Sequence, residues 1–164
     1  MKKLYFYGIL PLFLMLNSCG LGINSAGNKY LTVEQGAIPP EFGKDGTVLL
    51  LVEDADSNLW YKKYINKHAE NKYTGPYKII QYDELDASPY SNKEKYRYVF
   101  LSDNTSKIQH IDNTGVSSSE WKYFLVYDRL TEKQYKSKTA PVSWAKFMGV
   151  YFEKLDAKRI ENGG

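Results

Sequence analysis

The first eighteen residues read as a leader that is removed, so they cannot contribute to a folded core. Lys2 and Lys3 open an apolar run of thirteen positions, Leu4 to Leu16. A helix that crosses the hydrocarbon layer of a bilayer needs roughly 20 such residues. This run is shorter, and Gly8 and Pro11 interrupt it. A doubly basic start, a short apolar centre and a small-residue end describe a secretory signal peptide over residues 1–18. Whatever folds must lie after it.

Cys19 follows at once and is the only cysteine in the chain. A lone cysteine excludes an intramolecular disulfide framework and a thiolate metal cage. The four residues Leu16-Asn17-Ser18-Cys19 resemble the lipobox of bacterial lipoproteins, with a large aliphatic three positions before the cysteine and a small residue just before it. The resemblance implies that the Cys19 thiol takes a diacylglycerol, that the leader is cleaved before it, and that the new amino group is acylated. Each buried methylene contributes about 0.8 kcal/mol, so several acyl chains hold where one would be marginal. In two-membrane bacteria an Asp directly after the cysteine retains such proteins at the inner membrane. Gly20 stands there, which implies an outer-membrane protein facing the periplasm, with the lipid bilayer as its first partner. The remainder resembles small bacterial envelope lipoproteins in general character.

Residues 19–45 are small and polar, with Gly20, Gly22, Gly27, Gly36, Gly43 and the pair Pro39-Pro40. Such a stretch reads as the lipidated cysteine followed by a flexible tether, because it offers little apolar surface to offset chain entropy. Tyr30-Leu31-Thr32-Val33 inside it suggests a short edge strand. Residues 46–164 suit a single globular domain. Once Lys2 and Lys3 leave with the leader, 20 basic residues face 19 acidic ones. That balance leaves no electrostatic footprint for nucleic acid.

Within the domain, Gly46 to Val52 is a continuous apolar run that predicts a strand buried on both faces. Leu59 to Tyr73 carries Trp60, Tyr61, Tyr64, Ile65 and His68 at helical spacing, with lysines between them. Thr74-Gly75-Pro76 stops that helix. Strands are expected at Tyr77–Tyr82, Lys95–Leu101, Trp121–Tyr127 and Gln134–Ser137, and a closing helix from about Val142 to Arg159. The order β-α-β-β-β-β-α gives an α/β or α+β fold, a mixed sheet of about five strands packed with two helices.

Candidate chemistry is sparse. Asp54 and Asp56 follow the first buried strand, where ligands of α/β folds bind, and two carboxylates there suit a magnesium ion. The pair resembles the nucleophile motif of haloacid-dehalogenase-type phosphatases, but Glu53 intervenes before it and Asn58 takes the later Thr or Val place. Capping of the following helix is the favoured account of Asp54, Asp56 and Ser57. His68 falls on the inner side of its helix. His110, in a polar loop near Ser117-Ser118-Ser119, lacks a nucleophile elbow. No cofactor is implied. Tyr96 with Tyr98, and Tyr123 with Tyr127, are spaced to share strand faces and are candidates to stack on sugar rings or grip a protein. The expected function is a membrane-anchored, non-catalytic binding or structural protein with an envelope protein as partner. The alternatives are a glycan or small-ligand module using those tyrosines, and a metal-assisted hydrolase using Asp54 and Asp56.

Overall fold

A computed structural model describes residues 18–53, 59–112, 115–138 and 143–164, with side-chain surroundings for all of these except 18–21, 59–61 and 102–122. The fold is α+β. Helix α1 (Ser18–Tyr30) leads into strand β1 (Leu49–Glu53), helix α2 (Leu59–Lys72), strands β2 (Tyr77–Gln81), β3 (Tyr98–Asp112), β4 (Gly115–Asp128) and β5 (Lys133–Lys136), and helix α3 (Trp144–Glu161). From β1 onward this is the expected order β-α-β-β-β-β-α. A third helix precedes it.

The strands form one mixed sheet in the order β2-β1-β3-β4-β5. β1 lies parallel to both neighbours, and β3, β4 and β5 run antiparallel to one another. Parallel partners cannot be joined by a tight turn, so each needs a crossover. Helix α2 makes the crossing from β1 to β2 on one face, and residues 82–97 make the one from β2 to β3 on the other. This explains why β1 is apolar from Leu49 to Val52. Leu49 and Leu51 enter the helix-side core, Leu50 and Val52 enter the opposite cluster, and all four are buried.

The helix-side core is aromatic. Phe100, Phe124, Phe147, Tyr151 and Phe152 interlock there at ring-centroid distances of 4.9 to 6.1 Å. The opposite cluster is smaller, and the 82–97 segment roofs it with Leu85, Tyr90 and Tyr96. Arg129 ties that roof down. Buried itself, it donates to the carbonyls of Leu85, Tyr90 and Tyr96 at 2.7 to 3.1 Å and to the Asp86 carboxylate at 3.2 Å.

The segment expected to be a flexible tether is instead part of the fold. Ile23, Leu31, Ala37, Ile38 and Phe42 are all buried in the helix-side core. The backbone carbonyl of Ala37 accepts the Tyr151 hydroxyl, and Asn162 Nδ2 donates to the Pro40 and Phe42 carbonyls. Tyr30 ends a helix rather than opening an edge strand. The physical reason is close approach. A Cβ on Gly27 would stand 2.3 Å from Val150 Cγ1, so the small residues that read as flexible are what let α1 lie against α3.

β3 and β4 also run far past the sheet. After a register shift between Leu101 and Asn104, residues 104–112 pair with 115–123. At about 3.3 Å per residue this two-stranded ribbon reaches on the order of 30 Å. Among the described residues no helix is long and apolar enough to cross a membrane.

Candidate functional site

Of the residues singled out above, Cys19 lies in the first turn of α1 by its backbone, and its side-chain surroundings are outside the described set. Asp54 and Asp56 lie outside the described residues, in the interval between β1 and α2. His110 is on a strand and not in a loop. Its register partner across the ribbon is Ser117, and Ser118 and Ser119 face Gln109 and Ile108.

The tyrosines divide. Tyr98 is 1 % exposed and packs on Phe42 at 5.0 Å in the helix-side core. Tyr96 is 8 % exposed and belongs to the opposite cluster, edge-on to Tyr90 at 5.3 Å. The two do not share a face, because the strand begins only at Tyr98 and Tyr96 belongs to the roofing segment. Neither ring is available to stack on a sugar. Burial raises the Tyr98 hydroxyl pKa well above its ordinary value. Tyr123 and Tyr127 do share a face of β4 with Leu125, and both remain half-buried. Lys136 Nζ sits 5.8 Å from the centre of the Tyr123 ring.

Among the described residues there is a cleft that the sequence does not display. It holds about 330 Å³ where the three helices meet, lined by Ile23 and Asn24 of α1, His68 and Lys72 of α2, and Lys146, Gly149, Val150 and Glu153 of α3. Each element arrives for a local reason. Lys67, His68, Asn71 and Lys72 follow one another on α2 while Ile65 and Ala69 bury the other side. On α3, Phe147, Met148 and Tyr151 turn into the core, which leaves Lys146 and Glu153 at the surface. Gly149 makes the crossing close. A Cβ there would lie 2.9 Å from both Nδ1 and Cε1 of His68.

His68 is wedged by this contact, with Tyr64 stacked nearly parallel to it at 6.1 Å. Desolvation lowers its pKa most. The Ala145 carbonyl, which accepts from the ring, works against that shift, the charges of Lys67 and Lys72 add to it, and Glu153 opposes it weakly. Nε2 is buried without a hydrogen-bond partner among the described residues. Leaving a buried polar group unpaired costs about 1–3 kcal/mol. Lys72 Nζ reaches Glu153 Oε1 at 2.6 Å, whereas Lys146 has no partner among the described residues. Among the described residues no hydroxyl or thiol side chain lines the cleft.

A second cleft of about 320 Å³ lies between residues 31–38 and α3, with Glu34, Lys154, Lys158 and Glu161 around it. Mixed charges and salt bridges such as Lys158 to Glu161 at 2.9 Å leave it without a net preference. Among the described residues no three His, Cys, Asp or Glu side chains gather to hold a metal ion.

Sequence reasoning placed His68 on the inner side of its helix but missed the cleft, because Asn24 and Ile23 were assigned to a tether. The one available signal was the pairing of Gly149 with the histidine-bearing helix, which no single-helix pattern displays. Comparison of the chain with protein-family models and with curated proteins finds no match.

Proposed function

We propose that this protein is a lipid-anchored component of a bacterial envelope, acylated at Cys19, that acts by binding and not by catalysis. The observation that carries the reading is the sequence around its single cysteine: a basic, short apolar leader ending in Leu16-Asn17-Ser18-Cys19. On this reading Gly20 directs the protein to the outer membrane with its domain in the periplasm. The partner is another envelope protein, met on the surfaces that the two cores leave open.

A glycan-binding reading keeps one supporting observation: Tyr123 and Tyr127 stay half-exposed on a single strand face. The loss of Tyr96 and Tyr98 to the interior narrows that reading to two rings. Metal-assisted hydrolysis by Asp54 and Asp56 has no such support.

Mass spectrometry of the protein from its native membrane tests the anchor. The expected species begins at Cys19 and carries three acyl chains' worth of added mass, and Cys19→Ser abolishes it. An unmodified thiol on a chain that keeps residues 1–18 overturns the proposal. Crosslinking in intact envelopes then identifies the partner, and a Tyr123→Ala, Tyr127→Ala variant that keeps every crosslink removes that strand face from the interface.

A further inference from the structure

We propose that the cleft between the three helices is an anion site that takes a phosphate group, supplied by a lipid headgroup or by a free phosphate ester. The inference does not depend on acylation of Cys19. Three observations carry it. The first is room: about 330 Å³, enough for a phosphate and part of what it is attached to.

The second is charge. The three helices together carry nine basic residues, Lys29 to Arg159, against four acidic ones, while the chain after the leader has an excess of only one. The basic surplus therefore sits in the helical layer. Within the cleft Glu153 is already engaged by Lys72, and Lys146 is exposed without a partner among the described residues. Lys67 stands on the adjoining turn of α2. The Lys146 ammonium at the rim, with Lys72 and Glu153 offsetting each other, leaves a net positive opening, and phosphate oxygens accept well from such a donor.

The third is the imidazole. His68 is held against α3 by a position where only glycine fits, and its Nε2 lacks a hydrogen-bond partner among the described residues. The groups facing it are Tyr64, Lys67 and Lys72 from α2, Lys146 and Glu153 from α3, and Asn24 from α1. Without a ligand, burial and the neighbouring lysines keep the ring neutral. A bound phosphate group offsets the positive charge of the neighbouring lysines and so favours the protonated ring. Binding then strengthens as pH falls through the neutral range.

The test follows the His68 ring resonances by NMR in the full chain held in a neutral, phosphate-free detergent. Inorganic phosphate should shift them saturably, raise the ring pKa, and bind more tightly at pH 6 than at pH 8. Lys146→Ala, a surface change that leaves the packing intact, should weaken binding roughly tenfold by loss of one charge-assisted contact. His68→Gln should remove the pH dependence while keeping part of the affinity. The same chain in phosphatidylglycerol and in phosphatidylcholine bilayers separates the sources. A shift only with the anionic lipid assigns the site to headgroups, and a shift only with free phosphate assigns it to a soluble ester. No saturable shift with either probe, or an affinity indifferent to Lys146, overturns the proposal.

Discussion

Asp128 is 1 % exposed and charged, and its surroundings show how a small domain retains such a group. Arg97 clasps it with two donors, Nε to Oδ1 at 3.0 Å and Nη2 to Oδ2 at 2.7 Å. The amides of Leu130 and Thr131 complete the set and fix the turn into β5. Burial by itself pushes the Asp128 carboxyl up, but the bonds from Arg97, Thr131 and Leu130 outweigh it and the pKa falls below its ordinary value. A carboxyl lowered on folding stabilises above its unfolded pKa, and that stability is lost as pH falls through the folded value. Asp128→Ala leaves Arg97 half-covered with only the exposed Glu41 carboxylate at 3.3 Å as counter-charge, and should cost about 3 kcal/mol in urea denaturation at neutral pH. A loss under about 1 kcal/mol would mean the pair behaves as a surface ion pair. His68 has the opposite linkage. Its folded pKa lies below the ordinary 6.5, so the unfolded chain binds the extra proton and stability falls as pH drops through about 6.5. Denaturation midpoints of His68→Gln, measured without phosphate, should lose that slope between pH 7 and 5.

Helix α1 depends on its packing. Its sequence, Ser18 to Tyr30, includes Gly20, Gly22 and Gly27, and each glycine in a helix interior costs about 1 kcal/mol relative to alanine. An isolated helix of this length and composition is not stable in water. Burial of Ile23 and of Leu31 just beyond it, with Gly27 against Val150, offsets that cost. Gly27→Val places a branched side chain where a Cβ already stands 2.3 Å from Val150 Cγ1, and β-branched Val150 has little rotamer freedom with which to yield. Amide hydrogen exchange over residues 22–31 should quicken by at least tenfold in that variant, while exchange in β1 and β4 stays nearly unchanged. Equal loss of protection everywhere would place α1 inside the same cooperative unit as the sheet. The same dependence on packing explains which elements were readable in advance. β1, α2, β2 and α3 declare themselves because Leu49 to Val52, or Phe147, Met148, Tyr151 and Leu155, repeat at strand or helix spacing. α1 does not, since small residues carry no periodic apolar signal and become helical only when a neighbour is present. The ribbon of 104–123 was missed for a related reason. Asn104, Ser106, Gln109 and Ser117 to Ser119 carry no apolar alternation that announces a strand, and cross-strand pairing organises them. The cleft was invisible because it joins three elements, one of which was not recognised as an element.

For the molecule as a whole, the chief consequence is where the domain begins. If residues 19–45 were a loose stalk, an anchored domain would stand roughly 25–30 Å from the headgroups and a protease would cut the stalk first. Instead the chain is helical from Ser18, and Leu31, Ala37, Ile38 and Phe42 bind residues 31–46 into the core. An acylated Cys19 would then hold the folded body directly at the bilayer, with α1 and its neighbours near the lipid. Anionic lipid attracts each nearby lysine by about 1 kcal/mol, so the basic surplus of the three helices would favour that position. Limited proteolysis of the membrane-bound protein separates the two arrangements. Trypsin has exposed targets at Lys29 and Lys44, and both would be cut at once in a disordered stalk, which would release the domain into solution. Cleavage there requires local unfolding of α1 or of the 31–46 segment. The domain should therefore stay with the membrane at protease levels that shed a stalked protein, and should be released only when Gly27→Val loosens the helix. Rapid release of an intact 45–164 fragment from the unaltered protein would show that these contacts do not persist at the membrane surface.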